Sequence, residues 1–219
     1  MGIQLTTNPA ECTLLCAPRL VRTRKFICAL ARAPAVVTID YLNYALSNKS
    51  LDSTLKYPLN DRETETKLGL KLEESLQRAR DNNQRLLRGW TIYVTNHVNG
   101  GFDTYKDIIE INGGTAIPYR GRTGMKLPRR RLKQSEDPDA GLESQNQGLE
   151  EETDFVYLVS STADDDVKLW ATFRKMAEKQ DLSARIVKTD WLLNCAMAQR
   201  VEWDVRWELN ERTVPGWNE

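Results

Sequence analysis

Two stretches of this 219-residue chain repeat one pattern, and the repeat limits what the chain can become. In Ala35-Val-Val-Thr-Ile-Asp-Tyr-Leu-Asn-Tyr-Ala45 and Arg185-Ile-Val-Lys-Thr-Asp-Trp-Leu-Leu-Asn-Cys195, Asp40 aligns with Asp190, Tyr41 with Trp191 and Leu42 with Leu192. Each copy is an apolar, β-branched run feeding a helix that an aspartate can cap. A further helix precedes each block, and a strand precedes that helix. Strands alternating with helices build a mostly parallel sheet with helices on its faces, because each crossover passes over the sheet and returns. The expected fold class is therefore α/β, as two units of one kind joined by a connector helix.

The first unit is the shorter. Gly2-Ile3-Gln4-Leu5-Thr6 reads as a strand, followed by a turn at Asn8-Pro9 and a second strand within Cys12–Ala17. A helix over 23–31 comes next and is broken at Ala33-Pro34. Strand 35–39 and a helix from Tyr41 to Ser47 follow, with Asp40 as cap and Leu42, Ala45 and Leu46 inward. This unit starts at what would be the second strand of the complete pattern. Leu68, Leu72, Leu76 and Ala79 then recur at helical spacing through 67–87, as one amphipathic connector that Gly89 ends.

The second unit reads strand–helix–strand–strand–helix–strand–helix in full. Its strands fall at Trp90–Thr95, Thr115–Tyr119, Phe155–Val159 and Ala184–Val187. Its helices fall at Thr104–Ile111, across Val167–Met176 and at Asp190–Met197, with Gly113-Gly114 stopping the first. Residues 120–153 break the composition: the basic Lys126-Leu-Pro-Arg-Arg-Arg-Leu-Lys133 runs into an acidic, Ser/Gln-rich half, expected to be a disordered insertion. The expected division is a partial unit at 1–56, a linker at 57–88 and the second unit at 89–210.

The charge at one helix start is unusual. Arg22-Thr23-Arg24-Lys25 places three cations where unpaired backbone N–H groups already make the field positive, with Thr23 as N-cap. Each exposed cation there opposes the helix dipole by about 0.3–1 kcal/mol. The same grouping of N–H donors, a hydroxyl and cations suits an anion, above all phosphate. At the matching place the second unit has Asp164-Asp165-Asp166, which satisfies the dipole and repels an anion. Only the first unit's helix start can be the anion site.

Lysine plus arginine and aspartate plus glutamate balance at 31 each, so bulk charge does not make this a nucleic-acid coat. No run of about 18 apolar residues exists to span a membrane. The four cysteines lack a paired zinc spacing and read as reduced thiols. His97 is the only histidine, which starves His-based triads and multi-His metal sites. No phosphate-cradling, nucleophile-elbow or metalloprotease motif is present, so neither an enzyme nor a cofactor or metal site is expected.

The Trp191-x-x-x-Cys195 pair after an apolar strand, the Gly113-Gly114 turn and the Arg22-Thr-Arg-Lys-Phe-Ile-Cys-Ala-Leu30 segment together resemble tandem BRCT repeats. The similarity is to the C-terminal pair of the PTIP-like and fungal multi-BRCT DNA-damage scaffolds and of the checkpoint mediators. It implies a nuclear scaffold module, without catalysis, that reads a phosphoserine protein tail, a phosphorylated core-histone C-terminus being the best candidate. By the resemblance, Lys25 and Thr23 would hold the phosphate and Arg22 the ligand backbone or a C-terminal carboxylate. Ile27, Asn96 and Asn194 would line the specificity groove. The resemblance also implies that the first repeat lacks its N-terminal strand and helix, and with them two phosphate donors. Two other readings are open: DNA contact through Lys126–Lys133, which would be weak, and a purely protein-packing module without phosphate recognition.

Overall fold

The structure, a computed structural model, describes residues 4–51, 56–122, 126–127 and 155–214. The first unit runs β1 (Leu14–Cys16), α1 (Arg24–Leu30), β2 (Ala35–Val37) and α2 (Ile39–Asn48). β1 and β2 pair in parallel, Leu15 opposite Val36. The connector holds α3 (Arg62–Leu68) and α4 (Leu72–Asn82). The second unit is β3 (Thr91–Val94), α5 (Gly101–Ile111), β4 (Thr115–Pro118), β5 (Phe155–Ser160), α6 (Asp164–Glu178), β6 (Ser183–Lys188) and α7 (Thr189–Ala198). Its strands form one parallel sheet in the order β4-β3-β5-β6. Tandem α/β units with parallel sheets are thus what the strand–helix alternation predicted.

The internal repeat runs further than the aligned block. Residues 150 apart do the same work: Lys49 and Gln199 both end their helices in the left-handed conformation. Beyond them the chain returns to cover the outer sheet edge, Val37 bridging Pro58 and Val187 bridging Glu208. Leu59 N–H donates to Val36 C=O (3.1 Å) and Leu209 N–H to Ile186 C=O (2.7 Å). Each return blunts an edge that would otherwise recruit a foreign strand.

Several expectations need correction. Residues 4–6 of the strand expected at Gly2–Thr6 are not in a strand, and residues 1–3 lie outside the described residues. In element order β1-α1-β2-α2 matches β5-α6-β6-α7, so the first described strand corresponds to the third of the complete unit, not the second. Thr38, not Asp40, is the N-cap of α2. Tyr41 and Ala45 are its buried residues, whereas Leu42 is 37% and Leu46 67% exposed. That face of α2 is thus largely left at the surface, which a helical period alone cannot tell. The connector is two helices because Gly69 takes a left-handed turn that closes α3. Most of the 120–153 insertion lies outside the described residues. Leu127, however, is buried beneath α6, its N–H bonded to Gln180 Oε1 at 2.9 Å.

One core joins the two units. Phe26, Ile27 and Leu30 of α1 sit in the same cluster as Ile108 and Ile109 of α5 and Trp191 and Leu192 of α7. Burying each such side chain contributes about 1.5–3 kcal/mol, more than an exposed ion pair, so apolar contact holds the units together. α4 closes the far end of α7: Arg78 Nε donates to Ala198 C=O (2.7 Å) and Asn82 Nδ2 to Gln199 C=O (2.8 Å). These side chains satisfy carbonyls that the end of a helix leaves open.

Gly113 fixes where the connector meets the second unit. Its φ is +83°, and a Cβ there would lie 2.7 Å from the Gln84 carbonyl oxygen. Leu87 N–H bonds Asn112 C=O alongside at 2.7 Å. Gly113→Ala is expected to lower the urea-unfolding free energy by about 1–3 kcal/mol, the cost of a non-glycine residue held at such a φ. An unchanged denaturation midpoint would show that the turn relaxes freely.

Candidate functional site

The start of α1 lies where the units meet, because the inward face of this short helix packs on α5 and α7. Thr23 is its N-cap, its Oγ1 accepting from Phe26 N–H at 3.4 Å. An accepting hydroxyl keeps its own proton free to donate. The three cations are used differently. Arg22 Nη1 is 2.7 Å from Asp190 Oδ1 in the first turn of α7. Arg24 pairs with Asp107 of α5. Lys25 is exposed and has no ion-pair partner among the described residues. Two of the three cations are thereby neutralised across the junction, which offsets part of their conflict with the helix dipole. Lys25 is left as a point charge facing solvent.

Around Arg22 the second unit supplies a polar floor. Tyr105 is buried on α5, and its hydroxyl donates to Asn99 C=O at 2.7 Å. Burial pushes the Tyr105 phenol above its ordinary range, and nearby Asp190 adds to this, while the Thr189 hydroxyl and Arg22 pull it back. Asn194 lies one turn beyond Asp190 on α7 and is half-buried. Arg22, Asp190 and Asn194 therefore share one stretch of the seam. Asn96 is exposed just after β3, in the loop that leads to Asn99. Ile27 is fully buried in the shared core. It supports the seam from beneath and offers a ligand no surface.

Asp190, Asp107 and Tyr105 are the seam residues that sequence reasoning missed. The signal for the aspartates was their charge opposite to the Arg22–Lys25 run, but nothing local says that α5 and α7 face α1.

The matching helix start in the second unit is built differently. Asp166, in the first turn of α6, is 1% exposed. Its Oδ2 accepts from the hydroxyls of Thr95 and Ser161, both at 2.6 Å, and its Oδ1 lies 2.9 Å from His97 Nδ1. Thr95 is itself fully buried. The hydrogen bond to Asp166, then that carboxylate's charge, hold the His97 imidazole above its ordinary pKa. The neighbouring Asp165 instead faces solvent and pairs with Lys168.

Other features belong to the scaffold. A cavity of about 1070 Å³ lies between β2 and the connector, lined by Val36, Leu59, Leu70, Arg78 and Arg200 among others, and contains none of the predicted site residues. All four cysteines are free thiols. Burial pushes the Cys28 and Cys195 thiols up to about 11, which keeps them protonated and unreactive. Of the basic run 126–133 only Lys126 and Leu127 are among the described residues, so the expected DNA contact falls almost wholly outside them.

Two α/β units with parallel sheets, meeting through one helix of the first and two of the second, define a tandem α/β repeat. The BRCT domain family model matches residues 85–205, and the Regulator of Ty1 transposition protein 107 BRCT domain model matches residues 1–59. The chain belongs to the BRCT family. It is 34% identical to the Homo sapiens Mediator of DNA damage checkpoint protein 1 over 123 residues, 56% of this chain and 6% of that protein. Among solved structures it is similar to the S. pombe Brc1 BRCT5-BRCT6 domains, with 28% identity and a TM-score of 0.64. That match covers 95% of this chain and 87% of that one. The fold is also shared with Rtt107p in its complex with a phosphorylated histone. There the identity is 17%, the TM-score 0.56 and the coverage 94% and 79%. The chain spans no more than 21% of the length of the curated relatives it matches.

Proposed function

We propose that this chain is a nuclear, phosphopeptide-binding scaffold module of the DNA-damage response. It would read a phosphorylated serine near the end of a protein tail, a core-histone C-terminus being the best candidate. The observation that carries the reading is the uncompensated Lys25 in the first turn of α1, two residues after the Thr23 N-cap, on the helix that packs against the second repeat. An ammonium, a hydroxyl and free backbone N–H groups together form a donor set suited to a phosphate dianion. Arg22, oriented by Asp190, keeps guanidinium donors for the backbone or terminal carboxylate of a ligand lying along the seam. Asn194 and Asn96 would meet the residues that follow the phosphoserine. Support comes from the fold shared with a protein solved in complex with a phosphorylated histone and from relatives that mediate a DNA-damage checkpoint.

The test is calorimetric titration with a phosphoserine peptide that ends in a free carboxylate and with its unphosphorylated twin. The phosphorylated peptide is expected to bind and the twin to bind far more weakly. Equal affinity for the two removes the proposal.

A further inference from the structure

We propose that the Arg185 guanidinium, clamped between Phe155 and Trp203 on the second repeat, is a docking point for a carboxylate of a partner protein. Trp203 follows the end of α7, whereas Asp190 and the seam lie at its start. The site is therefore separate from the one proposed for the phosphopeptide and does not depend on it.

Arg185 stands in β6 opposite Tyr157 of β5. Strand alternation puts it in one row with Val187, on the face that also carries Phe155, Tyr157 and Val159. Those four neighbours all belong to the shared apolar core or pack against it. A charge in such a row is costly unless something satisfies it. The fold itself does not ask for an arginine there, since the position 150 residues earlier in the first repeat is Ala35. Instead the guanidinium is held from two sides. Its carbon lies 3.5 Å from the Phe155 ring centroid and 4.0 Å from that of Trp203. Aromatic rings engage the flat faces of the cation and leave its in-plane N–H donors alone. Nη1 donates to the Tyr157 hydroxyl at 3.0 Å, and no carboxylate pairs with Arg185 among the described residues. The rest of the donor fork is fixed in place and unused.

The charges nearby select the ligand. Arg200 pairs with Glu202 at 2.6 Å and Arg206 with Asp204 at 3.1 Å, so the cations flanking Trp203 are neutralised. What remains is a single positive charge with coplanar donors. It matches a carboxylate, a monoanion with two coplanar oxygens, better than a phosphate dianion. The surroundings point to a protein as its bearer. Val201, Trp203 and Val205 on the same segment are 37%, 38% and 74% exposed, and tryptophan beside arginine is the pairing that anchors protein interfaces. An aspartate or glutamate next to apolar residues fits both parts of this surface.

The test is an NMR titration of the whole nitrogen-15-labelled chain. It follows the Arg185 Nε–H and Trp203 indole N–H signals, assigned with Arg185→Lys and Trp203→Phe. Sodium acetate is expected to shift both signals with saturation, whereas sodium chloride at equal ionic strength is not. A short peptide of alternating valine and glutamate, blocked at both ends, is expected to give the same shifts at lower concentration than acetate, and its glutamine twin none. Arg185→Lys keeps the charge but loses the planar fork, so the saturable response of Trp203 is expected to vanish. Equal effects of acetate and chloride, equal effects of the two peptides, or an undiminished response in Arg185→Lys overturn the proposal. A response to acetate without one to the glutamate peptide overturns it as well. Should Arg185→Lys fail to fold, the titrations of the parent chain decide alone.

Discussion

Replacing Lys25 with alanine is expected to weaken binding of the phosphoserine peptide by about 10- to 150-fold, while leaving the affinity for its unphosphorylated twin unchanged. The range follows from the about 1.5–3 kcal/mol of a hydrogen bond to a charged group, at 1.4 kcal/mol per tenfold. Lys25 is exposed and unpaired among the described residues, so its loss opens no cavity and strands no buried charge, and the melting temperature should not change. Arg24→Ala is the informative control. Arg24 pairs with Asp107 of α5, so it touches the seam and its loss should cost much less phosphate affinity. Binding losses of equal size in the two variants would mean that general positive charge, not a located ammonium, attracts the ligand. Added salt should weaken phosphopeptide binding by the parent, because the contact lies at the surface.

The second large effect is on stability. Trp191→Ala is expected to cost about 3–5 kcal/mol in urea unfolding, the usual range for emptying a core indole site. Trp191 is 1% exposed. Its ring stacks on Tyr157 with centroids 5.0 Å apart and planes 6° from parallel. Its Nε1–H donates to Glu202 C=O at 2.9 Å, which pins the segment after α7. Against the 5–15 kcal/mol or so that holds a typical domain folded, such a loss removes a large share of the stability and should lower the denaturation midpoint clearly. Trp191→Phe keeps part of the stack and loses the indole donor, so it should fall between the parent and the alanine variant. A cost below about 1 kcal/mol for the alanine variant would show that the stack contributes little beyond area.

The parts of this molecule that sequence could report are those whose signal lies within one element or recurs. Asp40-Tyr41-Leu42 and Asp190-Trp191-Leu192 sit at one spacing, and that spacing persists through the edge-covering returns at Leu59 and Leu209. The cations at Arg22–Lys25 are contiguous, so their oddity at a helix start was visible before any fold was known. What escaped depends on neighbours far along the chain. Leu42 and Leu46 read as core because a helix period shows a face, but not what lies against it. Asp166 read as dipole-complementing surface charge, like Asp164 and Asp165 beside it. A stricter use of periodicity would have singled it out: Asp166, Trp170, Phe173 and Ala177 fall on one buried face of α6. The partners of Arg22 and Arg24 were not legible, because only the packing of α1 on two helices of the other repeat brings Asp190 and Asp107 to them.

The helix that bears the cations is also the first repeat's share of the common core. Anything gripped at its outer end is therefore coupled, through mass action, to the cohesion of both halves. A cell rich in the modified partner would hold more of this module folded and beyond the reach of proteases than a cell without it. On the proposed function, the module's abundance would then follow the modification that creates its ligand.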